Sequence, residues 1–167
     1  MKKNWLLYLL LIILVVGAIA LLIYFIPNKS VSSVSYDKLK EAANRSYEVN
    51  ISYSNIDSFN VFGEYDSQNS VLKYETDEME EETKSININL YNTLLEYLPQ
   101  KDYSKDSQEE VLIPANELFK KIRFLNIRNE ASRMKCNYEV LDNVIYAISC
   151  VDAGGGAEAL NIDFMFD

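Results

Sequence analysis

Apolar positions fall into one long unbroken run near the start of the chain and, after it, a series of short alternating runs. Trp5 to Ile26 is 22 residues without a charge, and 16 of them are Leu, Ile, Val or Phe. As a helix this run is about 33 Å long, against a hydrocarbon core of roughly 30 Å. Its aliphatic residues favour insertion by about 5–10 kcal/mol as an upper bound. Trp5 and Tyr24 stand near the two ends, where amphipathic rings sit at headgroup level as membrane anchors, and Pro27 closes the run. The competing reading is a cleaved signal peptide, since Ala18-Ile19-Ala20 has the small-x-small form. Six apolar residues come after it, however, and an h-region is only about 7–15 residues long. The pattern therefore implies an uncleaved transmembrane signal anchor over residues 5–26. Lys2 and Lys3 precede it and Lys29 comes after, so positive-inside counting leaves residues 1–4 in the cytoplasm. The remaining chain is then extracytoplasmic, on a single-pass protein of the cell membrane.

Residues 27–35, rich in Ser and Asn, read as a tether short enough to keep the downstream domain near the bilayer. Tyr36, Leu39, Ala43 and Tyr47 have helical spacing and predict a short helix over Tyr36 to Arg45. Period-2 alternation then takes over. Tyr47, Val49, Ile51 and Tyr53 alternate with Glu48, Asn50, Ser52 and Ser54. Val61 to Tyr65 and Val71 to Thr76 flank a polar turn, and Ile86, Ile88 and Leu90 alternate with Asn. Thr93 to Leu98 reads equally as helix or strand, and Val111 to Ile113 predicts a short strand. Leu118, Phe119, Ile122 and Leu125 mark a second helix after Pro114, and Leu160 to Phe166 a last strand. The expected fold class is α+β: an N-terminal transmembrane helix, then one β-rich domain over residues 36–167 with about seven antiparallel strands and two short helices. The alternation implies sheets with one wet face.

Cys136 and Cys150 flank two apolar-alternating runs with Asp142-Asn143 at the midpoint. Tyr138 and Val140 share a face with Cys136, and Val144, Tyr146 and Ile148 share one with Cys150. A hairpin centred on Asn143 pairs 140 with 146, 138 with 148, and 136 with 150, bringing the two sulfurs together across the strands. The pattern predicts a disulfide, which persists in an oxidising compartment and agrees with the charge-derived orientation. The alternative is a pair of reduced, buried thiols.

Composition narrows the function more by exclusion. Sixteen basic against 25 acidic residues leave a net charge of −9, and histidine is absent. No Ser-His-Asp or Cys-His set and no His-ligated zinc or haem can be built, so no cofactor is expected. The acidic balance argues against a nucleic-acid partner. Glu75, Asp77, Glu78, Glu80, Glu81 and Glu82 form an acidic run, but it lacks the order and the glycine of a calcium loop, so it reads as a solvated connection. Lys120, Lys121, Arg123, Arg128, Arg133 and Lys135 form a basic stretch, which reads as a charged helix face, a contact for anionic headgroups, or a partner for the acidic run. The candidate interaction patches are thus Glu78, Glu80, Glu81 and Glu82 on one side and Lys120, Lys121, Arg123 and Arg128 on the other. Asp152-Ala-Gly-Gly-Gly-Ala-Glu158 leads into a strand and lacks a P-loop Lys, so it reads as a hairpin connection. Three N-x-S triplets, at Asn28, Asn44 and Asn50, fit chance in an Asn- and Ser-rich chain. Twelve tyrosines read mostly as core or rim packing.

No pattern selects a catalytic residue or a metal site. The expectation is a membrane-tethered, non-catalytic extracytoplasmic interaction domain, part of an envelope or surface complex, whose partners are the lipid bilayer and another protein or a second copy. The alternative is an apolar-ligand or lipid-handling domain, a half-barrel curled around acyl chains.

Overall fold

A computed structural model describes residues 33–55, 58–77 and 83–166. The run from Trp5 to Ile26 and the acidic residues Glu78, Glu80, Glu81 and Glu82 lie outside the described residues. Among the described residues no helix is long and apolar enough to cross a membrane.

The described chain forms β1 (Ser33–Val34), α1 (Tyr36–Ala42), β2 (Tyr47–Ser54), β3 (Ser58–Asp66), β4 (Val71–Thr76), β5 (Lys84–Ile86), α2 (Leu90–Leu95), β6 (Tyr103–Ser104), β7 (Asp106–Pro114), α3 (Ala115–Lys121), a 3₁₀ turn (Arg123–Leu125), β8 (Arg133–Leu141), β9 (Val144–Asp152) and β10 (Ala159–Phe166). Eight strands make one antiparallel sheet in the order β5-β4-β3-β2-β10-β9-β8-β7, and β1 with β6 makes a two-stranded ribbon. Strict alternation explains the sheet. In β2 and β10 every second side chain is buried, and these join the apolar faces of the helices in one core. The opposite face of the sheet is mostly polar, as the alternation implies, with Phe62, Leu112, Val151 and Met165 as exposed exceptions.

The structure is richer in elements than the seven strands and two helices expected. The strand expected to begin at Val61 starts at Ser58, because the β2–β3 ladder runs on to Ser54 opposite Ser58. The short strand at Val111 to Ile113 is β7, nine residues long; Asp106 to Glu110 are polar, so periodicity hides them, yet each pairs with β8. The alternation through Ile86, Ile88 and Leu90 is strand only to Ile86. The Asn89 side chain then accepts from the Asn92 amide at 3.0 Å, which caps α2 and makes Leu90 its first residue. That settles Thr93 to Leu98 as helix to Leu95. The first helix stops at Ala42 rather than Arg45, and Ser33 and Val34, read as the end of the tether, pair with β6.

The cysteine hairpin shows how two register effects cancel. Asp142 and Asn143 both have positive φ, 49° and 73°, the left-handed pair that a two-residue hairpin turn requires. This turn pairs Val140 with Ile145, one residue short of the expected 146. A bulge at Tyr146 restores the register, so Tyr138 faces Ile148 and Cys136 faces Cys150 as expected. Below the bulge the faces exchange. Ile145 is buried, while Tyr146, expected on the core face, is 37% exposed. The bulge also frees the Ile145 N–H from the ladder, and the Tyr91 hydroxyl of α2 accepts it at 3.1 Å.

Tyrosines fasten the helices to the sheet. The Tyr47 hydroxyl accepts from the Tyr91 amide at 3.1 Å and donates to Asn89 Oδ1 at 3.4 Å. Tyr138 donates to the Leu94 carbonyl at 3.0 Å and Tyr36 to that of Leu95 at 3.2 Å. Asn89 Nδ2 reaches back to the Ala43 carbonyl, just past α1, at 2.6 Å. Around these bonds Tyr47, Tyr65, Tyr91, Phe164 and Phe166 pack with neighbouring ring centroids 4.9–6.5 Å apart. Burial pushes the Tyr91 hydroxyl up to about 12, and those of Tyr47 and Tyr138 higher still. Gly63 sits where β3 turns inward between Val49 and Leu72. A Cβ there would lie 3.0 Å from Val49 Cγ1 and 3.1 Å from Leu72 Cδ1.

Candidate functional site

The predicted disulfide is present. Cys136 and Cys150 are bonded, with Cα atoms 3.9 Å apart, and both are buried in a row that continues into Val111 on β7 and Leu160 on β10. The bridge therefore ties β8 to β9 in the middle of the β7–β10 half of the sheet.

The basic stretch does not fold into one patch. Lys120 and Lys121 lie on the exposed side of α3 because Leu118 and Phe119 bury the other, and Arg123 comes next in the 3₁₀ turn. Arg128 belongs to the strap that leads to β8. Lys135 has the outward parity of β8 and so emerges on the opposite face of the sheet, 2.7 Å from Glu110. Lys121 is paired with Glu96 at 2.9 Å, which holds its ammonium above the usual lysine range. Such exposed pairs are worth about 0–1 kcal/mol. Lys120, Arg123 and Arg128 make no ion pair among the described residues. Beside α3 lies an open recess of about 670 Å³, with Ile88, Thr93 and Tyr97 on one side and Glu117, Lys120, Lys121 and Arg123 on the other.

On the far face of the sheet, the outward residues form rows across the strands. Asn137, Ser149, Asn161, Ser52 and Asn60 make one row, all short and uncharged. The next row runs Glu139, Ala147, Asp163, Asn50, Phe62 and Glu75. Phe62 is 59% exposed in this setting. Asn50 and Glu75 are its cross-strand partners, while Glu64 lies two residues along its own strand, opposite Glu48 and Lys73. These residues line a shallow depression of about 290 Å³. Glu48, Glu64 and Glu75 make no ion pair among the described residues; Thr83 donates to Glu75 at 2.6 Å. Leu112, Val151 and Met165 are also about half exposed on this side.

Two features escaped sequence reading. For Phe62 a signal existed, since it is apolar yet out of phase with Val61 and Tyr65, and that parity break marks an outward hydrophobe. Glu158 had no such signal. Although it lies just beyond three glycines, it is 4% exposed and accepts from the Tyr53 hydroxyl at 2.5 Å and the Ala131 amide at 2.9 Å. Tyr53 also reaches the Arg128 carbonyl at 3.1 Å, so the pair clasps the strap between α3 and β8 to the β9–β10 connection. Burial, and then the bond to Glu158, push the Tyr53 hydroxyl up to about 12. The glycine loop itself is a hairpin connection. The Asp152 carboxylate accepts from the amides of Gly154 and Gly156 at 2.8 and 2.9 Å, filling the space a phosphate would need.

Among the described residues no group of three or more Cys, Asp and Glu side chains converges as a metal-ligand set. No protein-family model, curated protein or solved structure matches this chain.

Proposed function

We propose that this chain is a single-pass protein of the cell membrane whose N-terminus is cytoplasmic and whose β-rich domain stands outside as a non-catalytic interaction module of an envelope or surface complex. The observation that carries the reading is the open sheet face. Eight strands present a broad surface that no helix among the described residues covers, with Phe62, Leu112, Val151 and Met165 exposed on it. Leu112 and Val151 flank Lys135 at one end of this face, while Phe62 and Met165 lie on either side of β2, each set among polar groups as in the mixed anatomy of protein contact surfaces. The buried disulfide supports an oxidising compartment, and the uncharged run from Trp5 to Ile26 supplies the anchor. The other side of the sheet, where an acyl chain would lie, is filled by α1, α2, α3 and the Tyr47–Tyr91–Phe164 ring cluster, which weighs against lipid carriage.

Chemical cross-linking in native membranes, then purification of the chain and mass spectrometry, tests the proposal. The expected result is a reproducible adduct with another envelope protein or with the chain itself. Recovery of the chain alone, with no adduct of either kind at any cross-linker length, contradicts it.

A further inference from the structure

The open sheet face and the α3 recess are complementary, and they lie on opposite layers of the same domain. Phe62 is exposed in a shallow depression among the carboxylates of Glu48, Glu64 and Glu75, which make no ion pair among the described residues and outnumber the one ammonium there, that of Lys73 opposite Glu64. The recess beside α3 offers apolar groups from Ile88 and Tyr97 under a rim carrying Lys120 and Arg123, whose charges are likewise unpaired among the described residues. An exposed aromatic ring on one face and a hollow on the other, with surroundings of opposite net sign, describe two halves of one contact. We infer that the partner of the open sheet face is a second copy of this chain, whose α3 recess receives Phe62. The inference rests on the reading of the chain as an interaction domain and names its partner.

Phe62 supplies the buried anchor that such contacts place at their centre, and guanidinium or ammonium groups near its ring add a cation–π attraction. The carboxylates of one copy meet Lys120 and Arg123 of the next, which sets orientation and rejects a face-to-face arrangement, where Glu48, Glu64 and Glu75 would meet their own kind. Glu117 on the recess rim and Lys73 beside Phe62 are the charges that oppose this pairing, one on each surface; Lys121, engaged by Glu96, adds little to it. Because the two surfaces differ, the contact is heterologous, and a pair of copies keeps one of each surface free to extend a row.

The test uses the full chain in its own membrane, with Phe62→p-benzoylphenylalanine as a photo-cross-linker. The expected product is an adduct between two copies, mapping by mass spectrometry to residues 88–97 or 117–123 of the second. An adduct to another protein overturns this inference and leaves the interaction-domain reading standing. An adduct to a different segment of the second copy, or no adduct, overturns the inference. A charge-swap experiment checks the same contact independently. The double variants E64K/E75K and K120E/R123E, each combined with the photo-cross-linker at 62, are expected to lose about tenfold in adduct yield when expressed singly, because like charges then meet across the contact. Expressed together they restore it, because each then presents the face the other lacks. Failure to restore yield in the mixture, with both variants inserted and disulfide-bonded, overturns the inference.

Discussion

Replacing Tyr91 by Phe removes one oxygen atom from the core and tests whether α2 is needed to complete the bulged hairpin. The Tyr91 hydroxyl is the acceptor for the Ile145 N–H at 3.1 Å, and Ile145 is 1% exposed, so water cannot take its place. The ring keeps its contacts with Phe164 and Phe166, with centroids 5.2 Å away in both cases. What is lost is therefore the satisfaction of one buried donor, which costs about 1–3 kcal/mol. For a domain of this size that corresponds to a fall in Tm of roughly 3–12 °C. Tyr146→Phe is the control. Tyr146 sits on the same bulge, but its hydroxyl donates to Glu139 on the surface, and its loss is expected to cost under about 0.5 kcal/mol. Urea unfolding of both variants with the disulfide intact, together with hydrogen exchange at the Ile145 amide, provides the measurement. A Tyr91→Phe variant as stable as the parent, with the Ile145 amide equally protected, would refute the reasoning.

Replacing Cys136 and Cys150 by Ala together is expected to cost about 3 kcal/mol, the closure entropy of a loop of roughly 15 residues; a loss below about 1 kcal/mol in urea unfolding would show that the bridge constrains little. Glu158→Ala leaves the Ala131 amide without its acceptor and the Tyr53 hydroxyl with the Arg128 carbonyl alone, and is expected to cost about 1–3 kcal/mol, whereas Glu158→Gln keeps a carbonyl oxygen for the Ala131 amide and costs less; equal losses in the two variants would contradict the clasp. Stability is expected to be intact below pH 10 and to fall as pH rises from 10 through about 12. Unfolded tyrosines lose their protons near 10, while Tyr91 holds its own to about 12 and Tyr47 and Tyr138 beyond, so in that window the native state binds more protons than the unfolded one. Tyrosinate absorbance should accordingly show a set of tyrosines that ionise only as the circular dichroism collapses. Smooth titration of all twelve near pH 10 with the fold intact would contradict it.

Much of the fold was readable because a half-buried antiparallel strand writes its period into the chain. β2 and β10 alternate without interruption, and the cysteine pairing follows from parity and the turn position because the bulge offsets the one-residue shift at the turn. Where the period was silent, tertiary partners decided. Asp106 to Glu110 carry no apolar alternation and are strand because β8 offers a ladder beside them. Leu90 continued a strand-like pattern, yet the Asn89 cap turned it into helix. Tyr146 changed face because a bulge, invisible in composition, inserted one residue. The candidate surfaces were half legible. Lys120, Lys121 and Arg123 stood out as charges, but their neighbour Lys135 crosses to the other face by strand parity, which a linear reading of the basic stretch cannot show. The recess beside α3 is built from segments about 30 residues apart and has no local signature.

A domain held outside the cell membrane by a permanent anchor is the claim on which the proposed function depends. Labelling a peptide tag placed after Asp167 with an impermeant reagent, on intact cells and again after permeabilisation, tests this directly. The expected result is full labelling before permeabilisation, on a membrane-bound chain. A tag that reacts only after the membrane is opened, or a chain recovered free of the membrane, would contradict it.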